Sequence, residues 1–572
     1  MGHLLKRRFL NTSLAVCVSV LVVLGARVGS QGPDSAPPLT AAEVLNVLQK
    51  AESAVASPNL SVAVVDRSGR ILGVLTRGVS ERDPDIAVTT ARAAAMFSNN
   101  QAPLSSRTVR FISGIHFPPG VSNTPPAALY GIENTNRGCQ LNADDTAPFE
   151  RPRSIIGSGL AGPPAPCRAS DSGGCAVGGA IADGRTMNPF VGFSTGKADV
   201  NDLGEPLDVA VNPGGFAIYR GGTVVGAVGV TGVSADLAEY AAIVSAATAT
   251  PGLSPLPSDP LPSPEAVFVD GLRLPFFGTC INVECVKAAI AAGPPRGSGG
   301  SPPASRMVVS PRAGQVVPTG YLIGPTASSV AGGLTVEEAR RIVDQAVARA
   351  TVTRAQIRLP LTQSTEMIIA VSDEGGAILA AFRMPDATVF SFDVAATKAR
   401  NAFYFSSREG YEVLRSFVTS HREQYTWEPE PPAGQGWAIT NRTLGFGGQP
   451  LFPPGIDLKG TMAGPWFDLF RYDALNPCNE GPGASRGGNK QFVNQSGIVW
   501  FPGSAPLYKG GRLIGGVGVS GDGVEQDDYV TAAAVTGFEA PAALRVDNSV
   551  IRTRDGDVRL PYWKFPRNPE LR

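Results

Sequence analysis

Few residues of this chain are of types that do chemistry at a site. Beyond the N-terminal segment only two histidines remain, His116 and His421. Histidine is a common ligand for metals and for haem iron. His116 precedes the tetrapeptide Phe117-Pro118-Pro119-Gly120, whereas the matching place before Phe452-Pro453-Pro454-Gly455 is Leu451. His421 lies in a Ser-His-Arg-Glu string. Neither histidine recurs, so no duplicated histidine-ligated site is encoded, and a hydrogen-bonded loop position is the plainer reading of both. Tyrosine also ligates haem iron. Tyr219 and Tyr508 do recur, each just before a Gly-Gly turn, where packing is the plainer reading. Arg383 and Lys398 are candidates for a basic pocket that takes a carboxylate; ordinary structural charge explains them equally well. Asp66 and Asp373 sit at hairpin turns, where an aspartate bonds to its own backbone. Two unpaired histidines cannot supply duplicated Ser-His-Asp triads, and no H-E-x-x-H or C-x-x-C-H string occurs, so zinc-protease and c-type haem chemistry have no sequence support.

The elements that must position these residues come in two copies. Ser61 to Arg77 returns as Ile368 to Arg383, Asp85 to Ser98 as Asp393 to Ser406, and Tyr219 to Gly232 as Tyr508 to Gly521. The order is kept and only loop lengths differ. This is tandem duplication of a whole domain, since the period is far too long for a solenoid unit. Each copy opens with an L-T-x-x-E capping box, at Thr40/Glu43 and Thr335/Glu338, which predicts an amphipathic first helix. A hairpin, an alanine-rich helix, a second hairpin rich in glycine and a closing helix follow. Hairpin-paired strands with segregated helices predict an antiparallel sheet and an α+β class. The glycines at 222, 226 and 229, and at 511, 515 and 518, lie within a strand. They therefore predict close packing against the alanine-rich helix rather than a phosphate loop.

Residues 1–30 have the pattern of a secretory signal, with Lys6, Arg7 and Arg8 before an apolar run. The body is then expected to be exported, to a periplasmic or extracellular place. Lys+Arg and Asp+Glu balance at 49 each, so no net field recruits nucleic acid or an anionic membrane. Six cysteines follow the signal: Cys139, Cys167, Cys175, Cys280, Cys285 and Cys478. An even number in an oxidising compartment points to disulfides. Local bridges Cys167–Cys175 and Cys280–Cys285 are the simplest arrangement and leave Cys139 for Cys478. The expected organisation is a first repeat over 38–285 with an insertion over 99–214, a Pro/Gly-rich linker over 286–332, and a second repeat over 333–566 with an insertion over 407–503. The second insertion holds Tyr425, Trp427, Trp437, Trp466, Phe467, Phe470 and Tyr472. These form either its own small core or a wall for a planar ligand.

At V-x-D-x-x-G, the alanine-rich helix and G-G-x-x-x-G-x-x-G-V-x-G, each repeat resembles the GlcG/HbpS-like family, often called haem-binding or haem-degrading. Repeat 2 carries the pattern at Asp373, Gly376, Arg383, Lys398, Ala399, Gly511, Gly515, Gly518, Val519, Ser520 and Gly521. Asp527 and Asp528 resemble the acidic start of the family's last helix. Repeat 1 departs, with Thr90 for Lys398, Thr76 for Arg383 and Thr231 for Ser520. The resemblance implies two tandem profilin-like domains, self-association through them, and non-covalent binding of a small ligand, haem or a related tetrapyrrole. It places the better site in repeat 2, at Arg383, Lys398 and Ser520; Tyr508, His421 and His116 are further candidates from their side-chain chemistry alone. An assembly protein and an accessory enzyme of oxidative metabolism are the other readings.

Overall fold

The computed structural model describes residues 36–78, 83–119, 121, 124–132, 135–136, 213–295, 302–421, 423–453, 462–475 and 497–571. The segment expected as a signal (residues 1–30), Cys139, Cys167, Cys175 and Cys478, and most of the first insertion lie outside these residues. The first half runs α1 (Ala41–Ala54), β1 (Leu60–Asp66), β2 (Ile71–Arg77), α2 (Asp83–Phe97), α3 (Ser106–Phe111), β3 (Gly215–Arg220), β4 (Thr223–Thr231), α4 (Ala235–Thr248), β5 (Leu253–Ser254), β6 (Phe268–Val269), β7 (Leu272–Arg273) and α5 (Val283–Ala292). The connecting stretch carries β8 (Arg306–Val309) and β9 (Gly320–Ile323). The second half runs α6 (Val336–Ala350), β10 (Ile368–Asp373), β11 (Ile378–Arg383), α7 (Ser391–Ser406), α8 (Arg408–Ser420), β12 (Thr426–Glu428), α9 (Asn441–Gly447), α10 (Phe467–Leu475), β13 (Ser504–Lys509), β14 (Arg512–Ser520), α11 (Val524–Ala534), β15 (Val550–Thr553) and β16 (Gly556–Arg559).

The class is α+β. One sheet has the order β5-β3-β4-β1-β2-β8 and the other β13-β14-β10-β11-β9, with antiparallel pairing throughout. The registers repeat: Ala63 faces Gly229 in the first sheet as Ala370 faces Gly518 in the second. Both capping boxes form, Thr40 with Glu43 and Thr335 with Glu338. β1 is buried along its whole length. Its alternation sends Val62 and Val64 to one face, against α1 and α4, and Ala63 and Val65 to the other, against α2. The stretch expected as a linker pairs with both sheets, β8 on β2 and β9 on β11. It thereby covers an edge strand in each copy, where unpaired N–H and C=O groups would otherwise face water.

The glycines of β4 and β14 let helix backbone touch sheet backbone. A Cβ on Gly229 would lie 2.3 Å from Ala87 O and 2.4 Å from Ala91 N, and one on Gly518 would lie 2.1 Å from Ala395 O. Each helix is then pinned to the first hairpin by one arginine. Arg92 Nε donates to Gly69 O (2.8 Å) and Arg400 Nε to Gly376 O (2.7 Å). The tail that both repeats share, D-G-L-R-L-P at Asp270–Pro275 and D-G-D-V-R-L-P at Asp555–Pro561, has a matching task. Ser105 and Thr108 of the α3 cap donate to Phe276 O and Pro275 O, and Thr440 and Thr443 of the α9 cap donate to Tyr562 O and Pro561 O.

The two copies share a core. Phe97 lies 5.4 Å from Phe390 between ring centroids, and Val389 N donates to Met96 O (2.9 Å). The turn after α2 inserts into repeat 2: Asn99 Nδ2 donates to Ile357 O (2.9 Å) and Asn100 N to Asp386 Oδ2 (2.9 Å). The second insertion is more regular than its composition suggests. It holds α8, β12, α9 and α10, and α8 buries Tyr411, Leu414 and Val418 on one face. Its aromatics form a core, with Trp466 fully buried and Trp427, Trp437, Phe470 and Trp500 around it. Tyr130 of repeat 1 stacks on Phe470 (5.1 Å) in that core.

Gly518→Ala is expected to destabilise the protein by about 3 kcal/mol or more, since neither backbone has room to retreat. Gly510→Ala, at φ +58° with open space around it, is expected to cost only about 1 kcal/mol. Urea unfolding of the two variants decides, and equal losses would refute the role given to the close approach.

Candidate functional site

Lys398 points from α7 toward the end of β14. It is fully buried. Its ammonium donates to Val519 O (2.8 Å) and to Asp527 Oδ2 (2.9 Å), and it lies 4.9 Å from the centroid of the Phe501 ring. Burial lowers the Lys398 pKa, against the pull of Asp527. Burial likewise pushes the Asp527 carboxyl up to about 7, against the pull of Lys398. Both shifts have one cause: a charge at this depth loses its water.

The second carboxylate oxygen, Asp527 Oδ1, has no hydrogen-bond partner among the described residues. Asp527 lines a cavity of about 30 Å³ between the two repeats. Repeat 1 contributes Phe97, Ile112 and Leu129 to its walls, and repeat 2 contributes Ile357, Phe390 and Phe501. Ser520 and Gln356 are its other polar neighbours; Ser520 Oγ donates to Ser391 Oγ (3.0 Å). The adjacent Asp528 faces away from this cluster, accepting from Arg442 Nε, Gly503 N (3.0 Å) and Lys564 N (3.0 Å).

Repeat 1 has no such pair. Thr90 stands at the place of Lys398 and Ala238 at that of Asp527: Gly214 packs on Ala238 Cβ as Gly503 packs on Asp527 Cβ. Both charges are absent together, which avoids leaving one buried and uncompensated. The neighbouring pair is kept, as Arg107 with Glu239 (2.7 Å) in repeat 1 and Arg442 with Asp528 in repeat 2.

The other candidates lie elsewhere. Arg383 does not join Lys398 in a basic pocket. It is buried, donating from Nε to Ala387 O (3.0 Å) and from Nη1 to Val317 O (3.1 Å) and Pro318 O (3.3 Å), and so ties the connecting stretch to β11. Tyr508 is buried in the aromatic core, its hydroxyl unpartnered among the described residues, and burial raises its pKa. His116 is buried, with Nδ1 3.0 Å from Thr124 O. His421 closes α8, half-buried at the surface, with Nε2 3.0 Å from Asp468 Oδ2. Cys280 and Cys285 are joined by a disulfide. Asp66 and Asp373 accept from their own turns, at Ser68 N and Arg70 N, and at Gly375 N and Ala377 N. Asp527 was legible in the sequence only as part of the acidic start of a helix. The stronger signal was that Lys398 and Asp527 change together to Thr90 and Ala238 between the copies.

A second buried charge cluster lies where repeat 1 docks. Arg358 pairs with Asp522 and Asp386 and also donates to Gln101 Oε1 (3.1 Å) of repeat 1. Beside it burial pushes the Glu366 carboxyl up to about 8, with Asp522 and Asp386 adding to the rise and Arg358 opposing it.

Two outcomes are expected. Lys398→Thr and Asp527→Ala should each cost about 3–5 kcal/mol, because each strands a buried charge. The double variant, which rebuilds the repeat 1 pair, should cost at least about 2 kcal/mol less than their sum; additive losses in a double-mutant cycle would refute the pairing. Glu366 holds its proton in the folded state from about its ordinary 4.5 up to about 8, so its contribution to stability falls as pH rises through that window. Glu366→Gln, neutral throughout, should gain on the parent protein as pH rises from 4.5 to 8, read by thermal unfolding at a series of pH values.

Comparison with known proteins bears on the second repeat. Residues 334–455 and 466–536 match the family model described as haem degrading protein HbpS-like. An uncharacterized 15.0 kDa protein in the dhaT-dhaS intergenic region of Citrobacter freundii is 47% identical over 57 residues, which is 10% of this chain and 39% of that protein. The chain thus spans about two fifths of the length of the curated relative it matches. Two solved structures are similar at 19% identity and a TM-score of 0.20: the crystal structure of the PduOC:heme complex, over 36% of this chain and 97% of that one, and Klebsiella pneumoniae protein ORFY, described as family-model DUF336, over 37% and 96%. Among the described residues no helix is long and apolar enough to cross a membrane. With the family's segment matched from the first helix of the second repeat to its last, this chain carries an HbpS-like domain in residues 334–536.

Proposed function

We propose that this chain is a non-covalent small-ligand-binding protein of two tandem profilin-like domains, with its working site in repeat 2. One observation carries the reading: Asp527, whose Oδ1 is buried without a hydrogen-bond partner among the described residues, lines the cavity between the two repeats. An unpaired polar atom at that depth costs stability unless something binds it. Repeat 1 lacks both charges of the pair and is the structural copy. Export to an oxidising compartment is part of the proposal, and the Cys280–Cys285 disulfide supports it.

Haem or a related tetrapyrrole is the ligand that the description of the matched family supports. The inter-repeat cavity does not fit such a group. It measures about 30 Å³, whereas sites for drug-sized molecules run to roughly 300–1,000 Å³. No imidazole, phenol or thiol lines it. Of the two histidines that follow residues 1–30, His421 is the one solvent reaches, and Asp468 backs it as carboxylates back ligating histidines. The haem reading therefore uses the outer face of α8 and α10 in repeat 2.

Haemin titrated into the protein is expected to give a saturable Soret shift at micromolar concentration, weakened at least about tenfold in His421→Ala and unchanged in His116→Ala. No shift in the parent protein would overturn the haem reading.

A further inference from the structure

We infer that the seam between the two repeats is a proton-gated joint: Glu366 has to carry a proton for the Arg358 cluster to hold the turn after α2, and its ionisation releases that turn. The inference goes beyond the binding reading above and does not rest on it.

The cluster holds the turn directly. Asn100 N donates to Asp386 Oδ2 (2.9 Å), and Gln101 Oε1 accepts from Arg358 Nη1 (3.1 Å). Gln101 Nε2 donates to Gln363 Oε1 (3.0 Å), and Asn99 Nδ2 to Ile357 O (2.9 Å), next to Arg358 in the chain. Behind these contacts the charges do not balance. Three carboxyl groups, Asp386, Asp522 and Glu366, share the neighbourhood of one buried guanidinium. Arg358 gives its hydrogen bonds to Asp522, Asp386 and Gln101, and none to Glu366. Glu366 N donates to Asp522 Oδ2 (2.7 Å), which fixes the residue beside a second carboxylate, and Glu366 Oε2 is buried with no partner among the described residues. Ionised, Glu366 is a third negative charge around one positive, where little water screens it.

The surrounding elements do not repair the deficit. Burial is the largest influence on Glu366 and favours its neutral form; Asp522 and Asp386 act the same way, and Arg358 and Arg383 oppose them. Arg383 is tied to the carbonyls of Ala387, Val317 and Pro318. Repeat 1 brings the uncharged Asn99, Asn100 and Gln101, and Tyr219, whose hydroxyl donates to Asn99 O (3.0 Å) and which feels both Arg67 and Asp386. Burial raises Asp522 as well, so its titration acts on the joint in the same direction. With the Glu366 carboxyl pushed up to about 8 while the turn is docked, against its ordinary 4.5 once water reaches it, docking is strongest below 4.5 and is lost as pH rises through about 8. Each pH unit in that window multiplies the open fraction by up to about tenfold. Release of the turn also frees the contacts beside it, Val389 N to Met96 O and Phe97 against Phe390. Both phenylalanines wall the inter-repeat cavity, so ionisation of Glu366 opens it.

Hydrogen exchange on the full chain tests this, read as protection factors so that the pH dependence of exchange itself cancels. Protection of the Asn100 and Val389 amides, which bond across the seam, is expected to fall at least about tenfold from about pH 6 to about pH 9. Amides of β10 and β14 should keep theirs. Glu366→Gln should hold the seam protected over the whole range. Gln101→Ala, a second variant that leaves every charge in place, should weaken seam protection at about pH 6 with the sheet unchanged. A parent protein without the fall, an equal fall in Glu366→Gln, equal losses in sheet and seam, or a seam indifferent to Gln101→Ala would each overturn the inference.

Discussion

Backbone against backbone is the contact on which the rest of this molecule depends. In each copy an alanine-rich helix lies directly on a strand whose glycines offer no side chain to hold it off. At Gly518 the carbonyl of Ala395 occupies the space a Cβ would need. Such an approach excludes water along the whole seam, and any side chain of the helix that points toward the strand end is buried with it. Lys398 is one of these. Its ammonium is carried beyond the reach of solvent and has to find acceptors there, which Val519 O and Asp527 provide.

The ion pair is thus a consequence of the close approach and also its chief expense in free energy. Desolvating two charges costs several kcal/mol each, and mutual attraction restores that only with good geometry. Repeat 1 shows that the fold does not require the pair, because Thr90 and Ala238 occupy the same two places within the same sheet register. What the charges add in repeat 2 is a buried carboxylate oxygen with no partner among the described residues. A fold that needed only stability would do better with the neutral pair.

Packing of the copies onto each other completes the arrangement. The turn after α2 seats its asparagines in repeat 2, Phe97 meets Phe390, and Arg358 of the buried cluster donates a hydrogen bond to Gln101. The connecting stretch covers the edge of each sheet. The aromatic residues of the second insertion, which as a list of rings fitted a ligand wall equally well, close on one another as a core.

Periodicity and repetition determined much of this in advance. The duplication, both capping boxes, the hairpins, the glycine–alanine seam and the α+β class all follow from local patterns, since capping, turn chemistry and strand alternation act between residues close in sequence. The turn roles of Asp66 and Asp373 were legible for the same reason. The site was not. Lys398 and Asp527 stand 129 residues apart, and nothing local says that one ends on the other. Arg383 looked available for a ligand, but tertiary structure surrounds it with three carbonyls. Composition hid α8, whose apolar spacing sits just before a segment rich in glycine and proline. What only the folded chain decided was which charges were desolvated together and which copy walls the cavity of the other, because burial is a property of position in space and not of neighbours along the chain.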